Sequence, residues 1–413
     1  MGKLSKVLGL SDKRPGAVHT IAESAGVPVD RLKNYLSHDL LPPAPDLEKL
    51  CNAASVTETK VRLALGRIDR SLAERLAEKY SEIADLLEVD ARTTPTENRK
   101  IPAPDYETRF GKLFQGDCIE IMHSMPTESV DMVFADPPFN LRKLYPSGID
   151  DDLKEGKYLD WTEQWLAAAE RLLRPGGAMF VWNLPKWNAH IASYLNQTMS
   201  FRHWIAVDIK YSLPISNRLY PSHYSLLYYT KGTPKTFHPD RLPMEICPHC
   251  YGDLRDYGGY KDKMNPKGVN LSDVWFDIPP VRHAKYKWRK EANELSIRLM
   301  DRVVEIGSDP GDVVLDPFSG SGTTLVASEL KKRHWIGIEI GPLDGIVERL
   351  ENTDNERAHL RRIRNEYNRL FTETSRRERE KLGLWTCESV RPKGPYVPDQ
   401  ATFQLDSPPS SCG

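Results

Sequence analysis

Two short runs of residues carry types and spacings that chemistry needs, and each follows an apolar stretch. The first is Asp136-Pro137-Pro138-Phe139, directly after Val130-Asp131-Met132-Val133-Phe134-Ala135. Consecutive prolines fix φ and remove two N–H donors, so they end a strand ladder and stiffen the turn beyond it. A carboxylate and a main-chain carbonyl are then held at the C-terminal end of a strand, the edge where open α/β sheets bind ligands. An exocyclic amine on an aromatic base is a poor nucleophile, because its lone pair is delocalised into the ring. The Asp136 carboxylate and the Pro137 carbonyl together offer acceptors for both of its N–H bonds, which would turn the lone pair toward an electrophile. Phe139 offers a face on which such a base would stack. Near-attack positioning of this kind removes several kcal/mol from a barrier, and extruding a base from a duplex costs a few. The plainer reading is a turn that closes a core strand, with Asp136 capping it locally.

The second run is Val313-Val314-Leu315-Asp316, which leads into Pro317-Phe318-Ser319-Gly320-Ser321-Gly322-Thr323-Thr324 and an apolar helical stretch, Leu325–Leu330. A strand, a glycine turn and a helix N-terminus present bare backbone N–H groups to a ligand. Glu339 ends the next apolar run and lies 19 residues after Gly320, the distance at which a Rossmann-like unit offers a carboxylate to ribose hydroxyls. A P-loop needs Lys-Ser/Thr after its second glycine, where Thr323-Thr324 stand, and a dinucleotide loop needs a third glycine, where Leu325 stands. A cofactor with a compact amino-acid end and a ribose suits the loop better, and S-adenosylmethionine has both. A structural turn is the alternative.

Taken together, the two runs make the chain resemble the amino-group DNA methyltransferases. The tetrad Asp136-Pro137-Pro138-Phe139 and the loop Asp316 to Thr324 match that family's catalytic and cofactor motifs, and 180 residues separate Asp136 from Asp316. Catalytic motif first and cofactor motif second is similar to the circularly permuted β-class order. The resemblance spans roughly residues 110–350. It implies a Rossmann-like S-adenosylmethionine-dependent methyltransferase sheet, double-stranded DNA as partner, and a homodimer as in similar enzymes. It also implies that Asp117, in Gly116-Asp117, lies near the cofactor adenine, and that Asn293 and Leu295 flank the methionine end. Lys290 is followed by Glu291, so the Lys-Pro pair common before that helix is missing. Aspartate at position 136 favours adenine N6 over cytosine N4 within the family.

These motifs must be positioned by an α/β sheet. Strands are expected at Asp131–Ala135, Ala178–Trp182, Trp204–Ile209, Ser225–Tyr229, Val313–Asp316 and Trp335–Ile340, with a helix over Tyr158–Leu173 closed by Arg174-Pro175-Gly176-Gly177. Strands alternating with helices imply a mostly parallel sheet with crossover helices. Residues 107–352 form the methyltransferase domain of this reading, with a target-recognition region over about 143–289. That region is dense in aromatic and basic residues, among them Lys261, Lys263 and Arg282, which are candidates for phosphate and base contacts. Within it, Cys247-Pro248-His249-Cys250 has the spacing of half a structural zinc site. Two metal-free thiols are the alternative, and Cys247 and Cys250 carry no catalytic role in this reading.

Ahead of the sheet, residues 1–89 read as short helices, and residues 90–106 as a polar, proline-containing linker. His19 to Leu36 resembles a phage-repressor-type helix-turn-helix, with Gly26 at the turn, Ala22, Leu32 and Tyr35 inward, and Arg31, Lys33 and Asn34 outward, where a second helix meets the major groove. A helical bundle for dimerisation or protein contact is the competing reading. At the other end, the charged segment Glu348 to Lys381 reads as a solvated helix, and residues 353–413 are expected to comprise charged helix and a disordered, Pro/Ser-rich C-terminal tail.

Composition adds boundaries. The 57 basic and 58 acidic residues nearly cancel, so any DNA-binding face must be local. No apolar run reaches the roughly 20 residues of a membrane helix. Six scattered cysteines do not form a disulfide pattern, which points to a reducing, cytoplasmic setting, and with DNA as substrate to the nucleoid. Two rivals remain: an RNA or protein-glutamine methyltransferase, disfavoured by aspartate at 136 and by motif order, and a regulator carrying an inactive methyltransferase domain, disfavoured by intact motifs.

Overall fold

The computed structural model describes residues 2–10, 16–87, 101–140, 153–208, 216–217, 219, 222–242, 258–259, 269–278, 294–366, 377 and 381. The chain divides into two compact units between residues 97 and 98.

The first unit consists of short helices: α1 (Lys3–Val7), α2 (Ala17–Ala25), α3 (Val29–Ser37), α4 (Ala44–Ala54), α5 (Glu58–Ala64), α6 (Arg70–Glu78) and α7 (Tyr80–Leu87). Leu4, Ala22, Leu32, Leu47, Leu50 and Val61 form its core. Gly26, in the left-handed conformation at φ 60°, ends α2 and lets the chain turn into α3. Ala22, Leu32 and Tyr35 point inward, and Arg31, Lys33 and Asn34 are exposed. Buried Asp46 on α4 accepts a hydrogen bond from Tyr35 Oη at 2.8 Å and pairs with Arg31 at 3.3 Å, fixing α3 against α4. These contacts hold the Asp46 carboxyl below the usual range, the Tyr35 hydrogen bond most of all.

The second unit is built on a nine-stranded sheet, among the described residues, in the order β1-β2-β11-β10-β3-β4-β6-β5-β9. The strands are β1 (Tyr106–Glu107), β2 (Gly111–Gln115), β3 (Val130–Ala135), β4 (Leu173–Asn183), β5 (Ser200–Asp208), β6 (His223–Thr230), β9 (Val274–Trp275), β10 (Val313–Asp316) and β11 (His334–Glu339); β7 (Arg241–Leu242) and β8 (Val269–Asn270) pair separately. From β2 through β11, β10 and β3 to β4 all pairs are parallel, while β6 is antiparallel to both β4 and β5. Every residue of β3 is buried, as expected of a strand covered on both faces. Alternate residues serve opposite layers. Met132, Phe134 and Phe180 pack with α11 (Ile297–Gly307) and α12 (Thr323–Leu330). Val133, Ala135 and Val181 pack with α8 (Cys118–Ser124), α9 (Glu155–Leu172) and α10 (Pro185–Leu195). The sheet is Rossmann-like, with helices on both faces.

Three expectations need correction. Arg174-Pro175-Gly176-Gly177 does not form a loop after α9 but lies inside β4. The Gly176 N–H donates to the Lys231 carbonyl at 2.7 Å, and the Gly177 carbonyl accepts from the Lys231 N–H at 3.0 Å. Pairing with the chain beyond β6 recruits this stretch, and the extra residues appear as a register shift against β3 between Val130 and Met132. Second, residues 155–230, inside the span expected to hold the recognition region, supply α9, α10 and three strands of the sheet. Third, the charged segment after Gly345 is not simply solvated. It forms α13 (Asp344–Glu351) and α14 (Asp354–Glu366), and Arg349, Glu356 and Leu360 are buried.

Among the described residues, no helix is long and apolar enough to cross a membrane.

Candidate active site

The parallel strands bring the chemistry-bearing residues to one edge. Leu315 on β10 pairs with Val133 on β3, so Asp316 and Asp136 leave neighbouring strands in the same direction. From β10 the chain crosses by α12 to β11, whereas from β3 it crosses by α9 to β4 on the opposite face. The β3–β10 boundary is thus a topological switch point, where such sheets open a crevice. One strand further, Glu339 on β11 pairs with Gln115 on β2, placing Gly116-Asp117 beside it.

The glycine loop is held from several sides. Gly320 and Gly322 have φ of 53° and 76°, a left-handed conformation that side chains disfavour. At Gly322 a Cβ would also lie 2.8 Å from Ile346 Cγ2. The Glu339 carboxylate accepts the Gly320 N–H at 2.8 Å through one oxygen and the Gly341 N–H at 2.8 Å through the other. Ser319 donates its N–H to the Ile338 carbonyl at 2.9 Å and its hydroxyl to the Asp316 carbonyl at 3.2 Å. Asp316 is 2 % exposed, and burial pushes its carboxyl up to about 7, against hydrogen bonds from Thr324 and the Phe318 amide. Asp117 caps α8, its Oδ1 accepting the N–H groups of Ile119 and Glu120 at 2.8 and 3.1 Å.

Arg349, on α13, is a residue the sequence reading missed. It is 2 % exposed and donates to the Ser321 carbonyl at 2.8 Å and to Thr323 Oγ1 at 2.8 Å. Its charge is met by Glu294 at 3.2 Å and Glu356 at 2.7 Å, both buried. Thr323 Oγ1 in turn donates to the Leu295 carbonyl at 3.4 Å. Arg349 therefore ties the glycine loop to the segment around Glu294-Leu295. A lone arginine in a charged stretch gives no sequence signal of burial.

The Asp-Pro-Pro-Phe turn is braced in a similar way. Asp136 is half-buried. The Pro138 carbonyl accepts from Tyr158 Oη at 2.7 Å, and the Phe139 carbonyl from Trp187 Nε1 at 2.7 Å. Asn140, at φ 52°, accepts the Leu153 N–H and donates to the Leu153 carbonyl, both at 2.8 Å. The Phe139 ring is 7 % exposed and 5.9 Å from the Tyr224 ring, which is itself 5.0 Å from Trp182. Phe318 directs its ring edge-on to Trp161 and Trp165 on α9, at 5.7 and 5.3 Å.

Asp117, Asp136, Asp316 and Glu339 thus converge at one sheet edge, with the loop Phe318 to Thr324 between them. Asn293, Lys261, Lys263, Arg282, Cys247 and Cys250 lie outside the described residues. Among the described residues, no group of three or more His, Cys, Asp or Glu side chains could hold a metal ion.

Comparison with known proteins agrees with this layout. Residues 130–343, 214 of the 413, match the N6/N4 DNA methylase family model, and they run from β3 through the glycine loop to the start of α13. The Type II methyltransferase M.BamHI of Bacillus amyloliquefaciens is 45% identical over 377 residues, covering 91% of this chain and 89% of that one. The Type II methyltransferase M.HpaI of Haemophilus parainfluenzae is 30% identical, covering 59% of this chain and 75% of its own. The DNA adenine methyltransferase YhdJ of Escherichia coli K12 is 30% identical, covering 56% and 81%. The chain belongs to the N6/N4 amino DNA methyltransferase family.

Proposed function

We propose that the chain methylates the exocyclic amino group of a base flipped out of duplex DNA, taking the methyl from S-adenosylmethionine. One observation carries the reading: Asp136 directly follows β3 and Asp316 ends β10, adjacent parallel strands at the switch point, so the acceptor pair and the glycine loop leave the sheet side by side at the same end. S-adenosylmethionine would supply an electrophilic methyl on a sulfonium. The residues fit it. The anchored Glu339 carboxylate stands at the end of β11 beside Asp117, suiting ribose hydroxyls and adenine. The backbone from Phe318 to Thr324, with Asp316 and Leu295, would line its amino-acid end.

On the chain's side, the Asp136 carboxylate and the Pro137 carbonyl accept the two N–H bonds of the target amine, and Phe139 stacks on the base. The next two carbonyls, of Pro138 and Phe139, are already engaged by Tyr158 and Trp187. The same pair holds the amine for attack on the methyl that the cofactor would supply, and Asp136 passes the proton the amine loses to solvent. The Type II name borne by M.BamHI and M.HpaI suggests the modification arm of a restriction system.

For the base itself, Asp136 is the residue that favours adenine N6, the base named for YhdJ. The second reading is cytosine N4, because a carboxylate–carbonyl pair addresses either amine equally and the matched family spans both. Incubating unmethylated plasmid with protein and methyl-labelled cofactor, then digesting to nucleosides for mass spectrometry, decides between them. Label on N6-methyladenosine supports the first reading and label on N4-methylcytosine the second. Label on neither, with cofactor bound, removes both. The outward face of α3, with Arg31, Lys33 and Asn34, is proposed as a second contact with DNA.

A further inference from the structure

Four of the backbone torsions around the Asp-Pro-Pro turn are confined by covalent structure. The ψ of Asp136 and of Pro137 are restricted because each precedes a proline, and the φ of Pro137 and of Pro138 are locked by their rings. The ψ of Pro138 is different, since Phe139 follows it. Rotation there swings the Pro138 carbonyl and, with it, the Phe139 ring relative to the Asp136–Pro137 acceptor pair. The atom that such rotation would move is the one Tyr158 holds, its hydroxyl donating to the Pro138 carbonyl at 2.7 Å.

The hydroxyl is itself directed. Asn183, 0 % exposed at the end of β4, donates from Nδ2 to Tyr158 Oη at 3.3 Å, which leaves the phenolic proton for Pro138. The Asn183 Oδ1 is occupied by the Leu184 N–H at 2.7 Å, so the amide orientation is fixed. Trp187, 4.6 Å from the Tyr158 ring, secures the next carbonyl, that of Phe139. Tyr158 is 2 % exposed.

We propose that Tyr158, oriented by Asn183, is a positioning residue that helps set the angle between the amine-accepting pair and the ring on which the target base stacks, by fixing ψ of Pro138, the backbone torsion within the Asp-Pro-Pro run that the prolines leave loose. This rests on the site reading above. Its effect belongs to the chemical step: base and cofactor bind at their own contacts, and the geometry between them is what the hydroxyl controls.

The test uses the full-length chain with Tyr158→Phe, which removes one hydroxyl and keeps the ring packing. Thr162→Val is the comparison. It removes a buried hydroxyl of the same helix whose hydrogen bond is to the helix backbone, the Tyr158 carbonyl at 2.7 Å. Steady-state and single-turnover methyl transfer, cofactor Kd and Tm are measured for both. In Tyr158→Phe, kcat should fall about ten- to a hundredfold, with cofactor Kd and the KM for DNA within about twofold. Thr162→Val should lower Tm as much or more and leave kcat near the parent's. Parental kcat in Tyr158→Phe, or an equal loss of kcat in both variants, would overturn the proposal. A parent chain that transfers no methyl group overturns the site reading along with it, whereas an active parent matched by Tyr158→Phe overturns this inference alone.

Discussion

Asp136 and Asp316 are two aspartates at the ends of neighbouring strands, and their surroundings assign them different work. Asp136 is half-buried just beyond β3, and the proposed reading uses its carboxylate as a hydrogen-bond acceptor. Replacing it with alanine should leave cofactor affinity within about threefold and lower methyl transfer at least a hundredfold, since orientation of the amine is lost. Equilibrium binding beside a single-turnover assay separates the two effects. Asp316 is sealed in, and burial raises its carboxyl from 3.8 to about 7. The folded chain therefore binds a proton that the unfolded chain releases between those values. Its contribution to stability is greatest at low pH and is lost as pH rises from about 4 to about 7. Asp316→Asn should remove that part of the slope, so Tm of the variant should gain on the parent across this window and then run parallel above it. A Tm difference independent of pH would mean that Asp316 is ionised in the folded chain throughout. Cys118 is shifted the same way, its thiol pushed up to about 12 mainly by burial.

At the scale of elements, legibility followed locality. Strands β3, β10 and β11 were evident because continuous apolar runs end in prolines or a glycine loop, and that chemistry is written in adjacent residues. Asp136, Asp316 and Glu339 come together only through strand register, yet their placement was inferable from strand order. Arg349, Tyr158 and Trp187 were not inferable. Each acts on the site from a helix in another layer of the fold, and nothing near it in sequence marks it. Arg174-Pro175-Gly176-Gly177 misled for the complementary reason: its composition favours a turn, and pairing with the chain beyond β6 overrides that. Arg349 also invites a test of the loop. Breaking a buried charge network by removing one partner typically costs about 3–5 kcal/mol, and here Glu294 and Glu356 would each lose the Arg349 guanidinium. Arg349→Met should therefore lower Tm sharply and weaken cofactor binding through the loosened loop. Gly320→Val, which forces a side chain into a backbone at φ 53°, should weaken cofactor binding with a smaller loss of Tm. Calorimetric titration and thermal melts of both variants provide the comparison. Unchanged cofactor affinity in Gly320→Val would make the loop a structural turn and nothing more.

For the whole molecule the governing fact is its near-zero formal charge, 57 basic against 58 acidic residues. Affinity for a polyanion cannot then come from a general attraction and must reside in local faces. In the first unit, α3 supplies one candidate face, but its three outward polar residues are not equivalent. Arg31 is paired with Asp46, which also anchors Tyr35, so replacing it disturbs the packing of α3 on α4. Lys33 and Asn34 are exposed and can be altered without touching the core. In the full-length chain, the pair of substitutions Lys33→Ala and Asn34→Ala should weaken binding to duplex DNA and reduce the salt dependence of log K by about one, the signature of one lost phosphate contact. Methyl transfer at saturating DNA should be unchanged, because the crevice on the sheet is untouched, so the loss should appear in the KM for DNA alone. Binding isotherms at several salt concentrations, run beside the methylation assay, read both quantities. If affinity and salt slope both match the parent, α3 does not touch DNA, and the competing use of this helical unit, contact with another protein chain, takes its place. If kcat falls as well, the first unit does more than hold the substrate, and its contacts must reach the geometry of the methyl transfer itself.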